Sequence, residues 1–192
     1  MRRRGFVPNG GRSSDRVGAS EVAPRARRAT ARDIPAITRI YNQGIVDREA
    51  TLETEERTEA ERRDWLAARD ARHPVLVAEV AGTVVGWGSL NAFNPRPAYR
   101  FVVDFSVYVA RQARGQGVGR ALLGALIEEA RGLGYHKIVL AGFPFNEAGV
   151  RLYQRLGFRE VGIYREQGVL DGRWVDTIVM ELLLDDRPPP SS

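Results

Sequence analysis

The sequence predicts an α/β domain of three layers, a mixed, twisted central sheet with helices on both faces. Three observations carry the prediction. Runs with helical apolar spacing alternate with short β-branched runs along the chain. One run, Lys137-Ile-Val-Leu-Ala141, is apolar almost throughout, as a strand covered on both faces is. Residues 114–119, Arg-Gly-Gln-Gly-Val-Gly, join the apolar run Phe105–Val109 directly to a helical run, Ala121–Ile127.

The elements follow in order. Val22–Arg28 is a weak strand by composition. Thr30-Ala-Arg-Asp33 has the form of a capping box with Asp in place of Glu. The helix it opens sets Ile34, Ile37, Ile40 and Tyr41 on one face, and Gly44 marks its end or a bend. A second helix, Thr58–Ala71, carries Trp65 and Leu66 inward, and Pro74 blocks its extension. Val75–Val80 and Val84–Leu90 read as a hairpin around Ala81-Gly82. Asn91–Ala98, with Pro95 and Pro97, is a loop before a long strand, Tyr99–Val109. The glycine turn leads into a helix over 118–132, with Leu122, Leu123, Leu126, Ile127 and Ala130 inward. Lys137–Ala141 is the next strand, and Glu147–Leu156 is a short helix closed by Gly157. Val161–Tyr164 and Trp174–Leu184 close the sheet as an antiparallel pair around Asp171-Gly172.

Composition narrows the function classes. A chain of 192 residues suits one domain. The net charge is +5, but residues 1–30 hold eight arginines against Asp15 and Glu21, so the remainder carries −1 (+5 less +6). A near-neutral folded part argues against a nucleic-acid-binding face. Residues 1–22 are rich in Arg, Gly and Ser and read as a disordered basic tail; the domain is expected over 23–185, with a second tail at 186–192. Met1-Arg-Arg-Arg4 precedes no apolar segment of the kind a signal peptide needs, and no apolar stretch approaches the ~20 residues of a membrane span. The expectation is a cytoplasmic protein with no membrane partner. Cysteine is absent, which removes disulfides, a thiol nucleophile and thiolate metal sites. His73 and His136 lack any ligand spacing, so no metal site is expected.

Chemistry concentrates at the glycine turn. A strand turning through Gly115, Gly117 and Gly119 into a helix N-terminus suits a phosphate group. Glycine permits the tight turn and close approach, and the free amides of the first helical turn attract an anion. A Walker A loop would need Lys-Ser/Thr after the last glycine, where Arg120-Ala121 stands. The dinucleotide fingerprint would need glycine at 120. What remains is Arg114-x-x-Gly117-x-Gly119, or a glycine-rich turn that binds nothing.

The loop resembles the pyrophosphate loop of the GCN5-related N-acetyltransferases (GNAT), and the element order resembles their fold over about residues 25–184. Four local matches narrow the likeness: Ile40-Tyr41-Asn42, Arg96-Pro-Ala-Tyr-Arg100, Ser106-Val-Tyr-Val109 and Gly172-Arg-Trp-Val-Asp176. Together they resemble the branch of phosphinothricin, methionine sulfoximine and arsinothricin acetyltransferases. The resemblance implies a sheet splayed around acetyl-CoA. It also implies transfer of acetyl to the amino group of a small amino acid or toxic analogue, and a homodimer is expected. The rivals are a protein N-terminal or ribosomal-protein acetyltransferase and a non-catalytic acetyl-CoA sensor.

The resemblance also implies site residues. Val107, Tyr108 and Val109 would hold the pantetheine arm. Arg114, Gly115, Gln116, Gly117, Val118, Gly119 and Arg120 would cradle the pyrophosphate. Asn146 would bind the cofactor, or merely cap its helix. Asp104, inside the apolar run Val102–Ser106, stands where the branch holds a glutamate base; it is one methylene shorter. With an ordinary pKa of about 3.9 it would orient the ammonium or relay through water, and a buried structural carboxylate is the other reading. Tyr153 follows the superfamily, where a tyrosine serves the leaving thiolate, and departs from the branch, which has histidine. It also suits a core aromatic. Arg96 and Tyr99 would receive an anionic group of the substrate, since arginine binds oxyanions bidentately; Arg96 also suits a solvated loop. Trp174 would line the same pocket or pack in the core.

Overall fold

The computed structural model describes residues 22–189. All but the last residue of the predicted N-terminal tail (1–22), and residues 190–192 of the predicted C-terminal tail (186–192), lie outside that range. Seven strands and four α-helices follow one another as β1 (Arg25–Arg28), α1 (Ile34–Asp47), α2 (Glu59–Ala67), β2 (Val75–Val80), β3 (Thr83–Ala92), β4 (Val102–Val109), α3 (Val118–Gly132), β5 (Lys137–Gly142), α4 (Glu147–Arg155), β6 (Arg159–Leu170) and β7 (Arg173–Leu183). The strands form one sheet in the order β1-β2-β3-β4-β5-β7-β6. β4 and β5 pair parallel across the α3 crossover, and the other pairs are antiparallel.

Strand alternation sorts side chains to the two faces. Trp87 and Tyr108 stack on one face, at 4.9 Å between centroids, and meet Tyr41 of α1 edge-on. Gly86 and Gly88 face the other way. A Cβ at Gly86 would come within 2.8 Å of Val118, and one at Gly88 within 2.9 Å of Leu126, so their bareness lets α3 lie close on the sheet. The wholly buried Ile37, Leu90, Leu122, Leu126, Ile138 and Met180 fill the core between these layers.

Several element bounds differ from the sequence expectation. The capping box forms, with the Thr30 amide donating to the Asp33 carboxylate at 2.7 Å. α1 then runs through Gly44 to Asp47. Gly44 is there to make room for Tyr108 rather than to end the helix; a Cβ there would lie 2.8 Å from the ring. α2 ends at Ala67, four residues early, because the Asp70 carboxylate takes the Arg72 and His73 amides into a turn. β4 starts at Val102, since Pro97–Tyr99 coils into a 3₁₀ turn in which Arg100 donates back to the Pro97 carbonyl. β6 spans twelve residues rather than four, paired with β7 through two register shifts. Backbone pairing, rather than apolar alternation, holds those exposed residues extended.

The sheet opens at one point. β4 pairs with β5 only from Val102↔Lys137 to Asp104↔Val139. Beyond Val139, β5 continues with β7 as far as Gly142↔Ile178, while β4 continues with β3. The second half of β4 therefore borders a gap. The Ala110 amide donates to the Val85 carbonyl, and hydrogen-bonded pairs alternate in an antiparallel ladder. Asp104, Ser106 and Tyr108 thus spend their backbone groups on β3. Phe105, Val107 and Val109 turn theirs toward the gap.

Candidate active site

A groove of about 800 Å³ fills the gap. Val107, Tyr108 and Val109 form one wall, the 114–120 turn the floor, and α4 the other wall, with Asn146 and Tyr153. Of the three strand residues predicted to hold pantetheine, Val107 and Val109 offer backbone groups to the groove. Tyr108 offers only its side chain.

The turn has the geometry of an anion cradle. Gly115 and Gly117 sit at φ 75° and 80°, and a Cβ on either would point into open space. Gly117 is the N-cap of α3 and provides no side-chain acceptor, so the first-turn amides of Val118, Gly119 and Arg120 are left to a ligand. Arg114 stands beside them. Its guanidinium pairs with Asp47 at 2.5 Å and Glu49 at 3.4 Å, and its Nε donates to the Val109 carbonyl. Gln116 turns its side chain away, donating to the Gln112 carbonyl at 2.8 Å, so only its backbone serves the turn. These groups fit a pyrophosphate: backbone amides, a helix dipole and two flanking arginines.

Asn146 is a helix cap that also lines the groove. Its Oδ1 caps α4 by accepting from the Gly149 amide at 3.0 Å, and its Nδ2 reaches across the groove mouth to the Glu49 carbonyl at 3.2 Å. Glu49 and Ala50, in the segment after α1, line the groove and went unnoticed in the sequence. No local pattern marks them; α1 ends on a left-handed Arg48 and swings them there.

Asp104 lies at the vertex of the opening, on the last residue pair that joins β4 to β5. It is half-buried, and burial pushes its carboxyl up to about 6, against the downward pull of the Phe105 amide and the Asn91 side chain. The ordinary acidity assumed from the sequence is thus replaced by a pKa close to neutrality. Asn91, opposite Asp104, is itself fixed by Ser89, Ser106 and Arg69. Tyr153 projects from α4 against Phe105, at 5.7 Å between centroids. Burial, then the Asp104 charge, raise its phenol to about 12. The structure therefore brings Asp104 and Tyr153 into one electrostatic environment beside the Val107 backbone.

Asp104 is not among the residues that line the groove; it meets it only through the charge felt by Tyr153, and three further predicted residues stand apart from the groove altogether. Arg96 and Tyr99 lie on the exposed β3–β4 connection, where Tyr99 packs edge-on against Phe93. Trp174, on β7, is 66% exposed, so it is not part of the core. Among the described residues, no group of three or more His, Asp or Glu is placed to hold a metal ion. No helix among them is long and apolar enough to cross a membrane.

Residues 37–158 match the family model described as the acetyltransferase (GNAT) family. The chain belongs to the GNAT family. Its relatives include the L-methionine sulfoximine/L-methionine sulfone acetyltransferase of Salmonella typhimurium, 37% identical over 166 residues, covering 83% of this chain and 94% of that one. The phosphinothricin N-acetyltransferase of Alcaligenes faecalis is 38% identical over 151 residues, 78% and 77% of the two chains. Among solved structures, yncA of Salmonella typhimurium with its cofactor acetyl-CoA superposes with a TM-score of 0.84 at 36% identity, over 88% of this chain and 98% of that one. A ribosomal-protein-alanine N-acetyltransferase from Brucella melitensis gives 0.80 at 38% identity, over 82% and 98%. The GNAT chain described here is accordingly an N-acetyltransferase that uses acetyl-CoA as co-substrate.

Proposed function

We propose that this GNAT enzyme acetylates the α-amino group of a small amino acid or an amino-acid analogue of the methionine sulfoximine, phosphinothricin or arsinothricin kind, in the cytoplasm where acetyl-CoA is made. The observation that carries the reading is the carboxyl of Asp104, raised to about 6 where β4 parts from β5, close enough for its charge to act on Tyr153 of a groove whose floor is an anion cradle. The names of the relatives supply the substrate class.

The roles follow from the geometry. The 114–120 turn, with Arg114 released from Asp47 and Glu49, holds the pyrophosphate, and Asn146 and the Val107 and Val109 backbone hold the pantetheine arm. Asp104, ionised near neutral pH, takes a proton from the substrate ammonium, directly or through one water. The free amine attacks the thioester carbonyl carbon. The oxygen that gains charge accepts from a strand amide in the gap, with Val107 best placed. The tetrahedral intermediate gives up its second nitrogen proton to water and collapses, the C–S bond breaks, and CoA leaves as thiolate. Tyr153, protonated throughout the physiological range, stabilises that sulfur by hydrogen bonding, and the proton on sulfur returns from solvent or from Asp104. Arg96 and Tyr99 remain candidates for an anionic side-chain head of the substrate, on a connection that does not line the groove. Trp174 belongs to an exposed surface on the β6–β7 pair rather than to the core.

A homodimer is part of the proposal. β6 is the outermost strand, and Val161, Ile163, Tyr164 and Val169 on it are exposed beside Trp174. An apolar sheet edge of that length invites pairing with a second copy.

Acetylation of a protein N-terminus is the second reading, favoured by the likeness to the Brucella melitensis structure. The two separate in a panel assay of CoA release. Free L-amino acids, their sulfoximine, phosphinate and arsinate analogues, and peptides bearing each N-terminal residue are compared at equal concentration. The proposal expects turnover on free amino acids and none on peptides. Turnover on peptides alone would replace it with the second reading.

A further inference from the structure

Asn91 of β3 stands opposite Asp104 in the β3–β4 ladder. Residues paired in this way lie side by side on one sheet face, within reach of each other's side chains. The Oδ1 of Asn91 accepts from the Ser89 hydroxyl at 2.8 Å and from Nη2 of Arg69 at 3.1 Å. Its Nδ2 donates to the Ser106 hydroxyl at 3.1 Å, so the nitrogen side of the amide is turned to β4. Burial pushes the Asp104 carboxyl up, and the Phe105 amide and the Asn91 side chain draw it back, as donors to a carboxylate do.

A carboxamide turned over by 180° would set its oxygen against that carboxylate, acceptor to acceptor. Ser89 and Ser106 do not prevent the flip, because a hydroxyl both donates and accepts. Arg69 does: a guanidinium only donates, so only Oδ1 can face it. Arg69, in the turn after α2, is half-buried and held independently of the amide. Its Nε donates to the His73 carbonyl at 2.9 Å, its Nη2 also donates to the Leu90 carbonyl, and its guanidinium lies 5.2 Å from the Trp65 ring centroid. Burial lowers its pKa, yet a guanidinium stays protonated in proteins. The other ionisable groups around Asp104 offer no such control. Tyr153 of α4 feels the Asp104 charge. In the row that runs from Asp104 through Val139 to Glu181, the Glu181 carboxylate is already paired with Lys137 and Arg159.

We infer that Arg69 is a positioning residue for acetyl transfer: by fixing the orientation of the Asn91 amide it keeps an N–H, rather than an oxygen, against Asp104, and so holds that carboxylate ready for the substrate ammonium. The inference rests on the reading of Asp104 as the base. Arg69 touches neither substrate nor cofactor; it acts through Asn91 alone.

The test is the acidic limb of the kcat–pH profile, measured at saturating acetyl-CoA on the fastest amino acid of the panel. Losing a donor destabilises the ionised carboxyl, so the limb moves to higher pH, by about one unit for a hydrogen bond to a charged group. Asn91→Leu should show that shift in full and Arg69→Met much of it, with KM for acetyl-CoA within about twofold of wild type in both. In the Asn91→Leu background, Arg69→Met should add no further shift. Shifts that add would mean that Arg69 acts on Asp104 through its charge, and an unmoved limb in Arg69→Met would mean a packing role; either overturns the inference. Should Arg69→Met fail to fold, the nearly isosteric Asn91→Asp decides. A second carboxylate beside Asp104 should move the limb up by more than about one unit, and an unmoved limb overturns the inference. A wild-type profile without a limb that Asp104→Asn removes overturns the reading of Asp104 as the base, and the inference with it.

Discussion

Asp104 concentrates the account at the scale of one residue. A base with a pKa near 6 is ionised at neutral pH and still holds a proton well enough to take one from an ammonium. Turnover under saturating acetyl-CoA should rise as pH climbs through about 6 and level off above it. Asp104→Asn should lower kcat by about 10²–10⁴-fold and remove that rise, with acetyl-CoA affinity near normal. A near-normal kcat in the variant would place the base elsewhere. Tyr153→Phe should cost less, about tenfold, because water also protonates a thiolate. The same carboxyl bears on stability. Its folded pKa is above its unfolded value, so the folded state binds the extra proton between about pH 4 and 6. The carboxyl is therefore tolerated best below that window, and ionising it across the window withdraws about 3 kcal/mol, from some two units at 1.36 kcal/mol each. Asp104→Asn should accordingly raise the melting temperature at pH 8 and give much less gain at pH 4. An equal effect at both pH values would show that burial does not strain this carboxylate.

At the scale of elements, the β4–turn–α3 unit does most of the work. Its glycines and apolar flanks are local signals, which is why the strand–turn–helix unit was legible in the sequence. Its splay from β5 was not, because that depends on where the parallel pairing stops, and apolar runs do not encode a register. The same limit explains β6, whose exposed residues carry no apolar alternation, and α2, which a side-chain-capped turn shortens. Gly117→Val should abolish acetyl-CoA binding by calorimetry. It should also cost about 1–2 kcal/mol of stability, since a branched residue is forced to φ 80°. A folded variant with unchanged affinity would show that the turn is not the cradle.

For the whole molecule, one sheet face carries the recognition groups and the other rests on α3. The motifs that resemble a family were readable because chemistry fixes them locally. Glu49 and Ala50 were not, because only the packed fold sets them beside the groove. Arg96, Tyr99 and Trp174 mark the opposite case: recognisable in sequence, yet outside the groove of one chain. The exposed β6 edge beside Trp174 gives a prediction about assembly. The protein should sediment as a dimer, and Ile163→Asp, which sets a charge on that edge, should shift it to monomer. Sedimentation of the wild type as a monomer at micromolar concentration would contradict the proposed assembly.

The central claim is acetyl transfer from CoA to the amine of a free amino acid through Asp104. Its most direct measurement mixes the protein with acetyl-CoA and L-methionine sulfoximine, follows free CoA thiol, and identifies the product by mass spectrometry. The account predicts one N-acetyl-amino acid formed per CoA released, fast in wild type and about 10²–10⁴-fold slower in Asp104→Asn. CoA release without an acetylated amino acid, or equal rates in the two proteins, would contradict it.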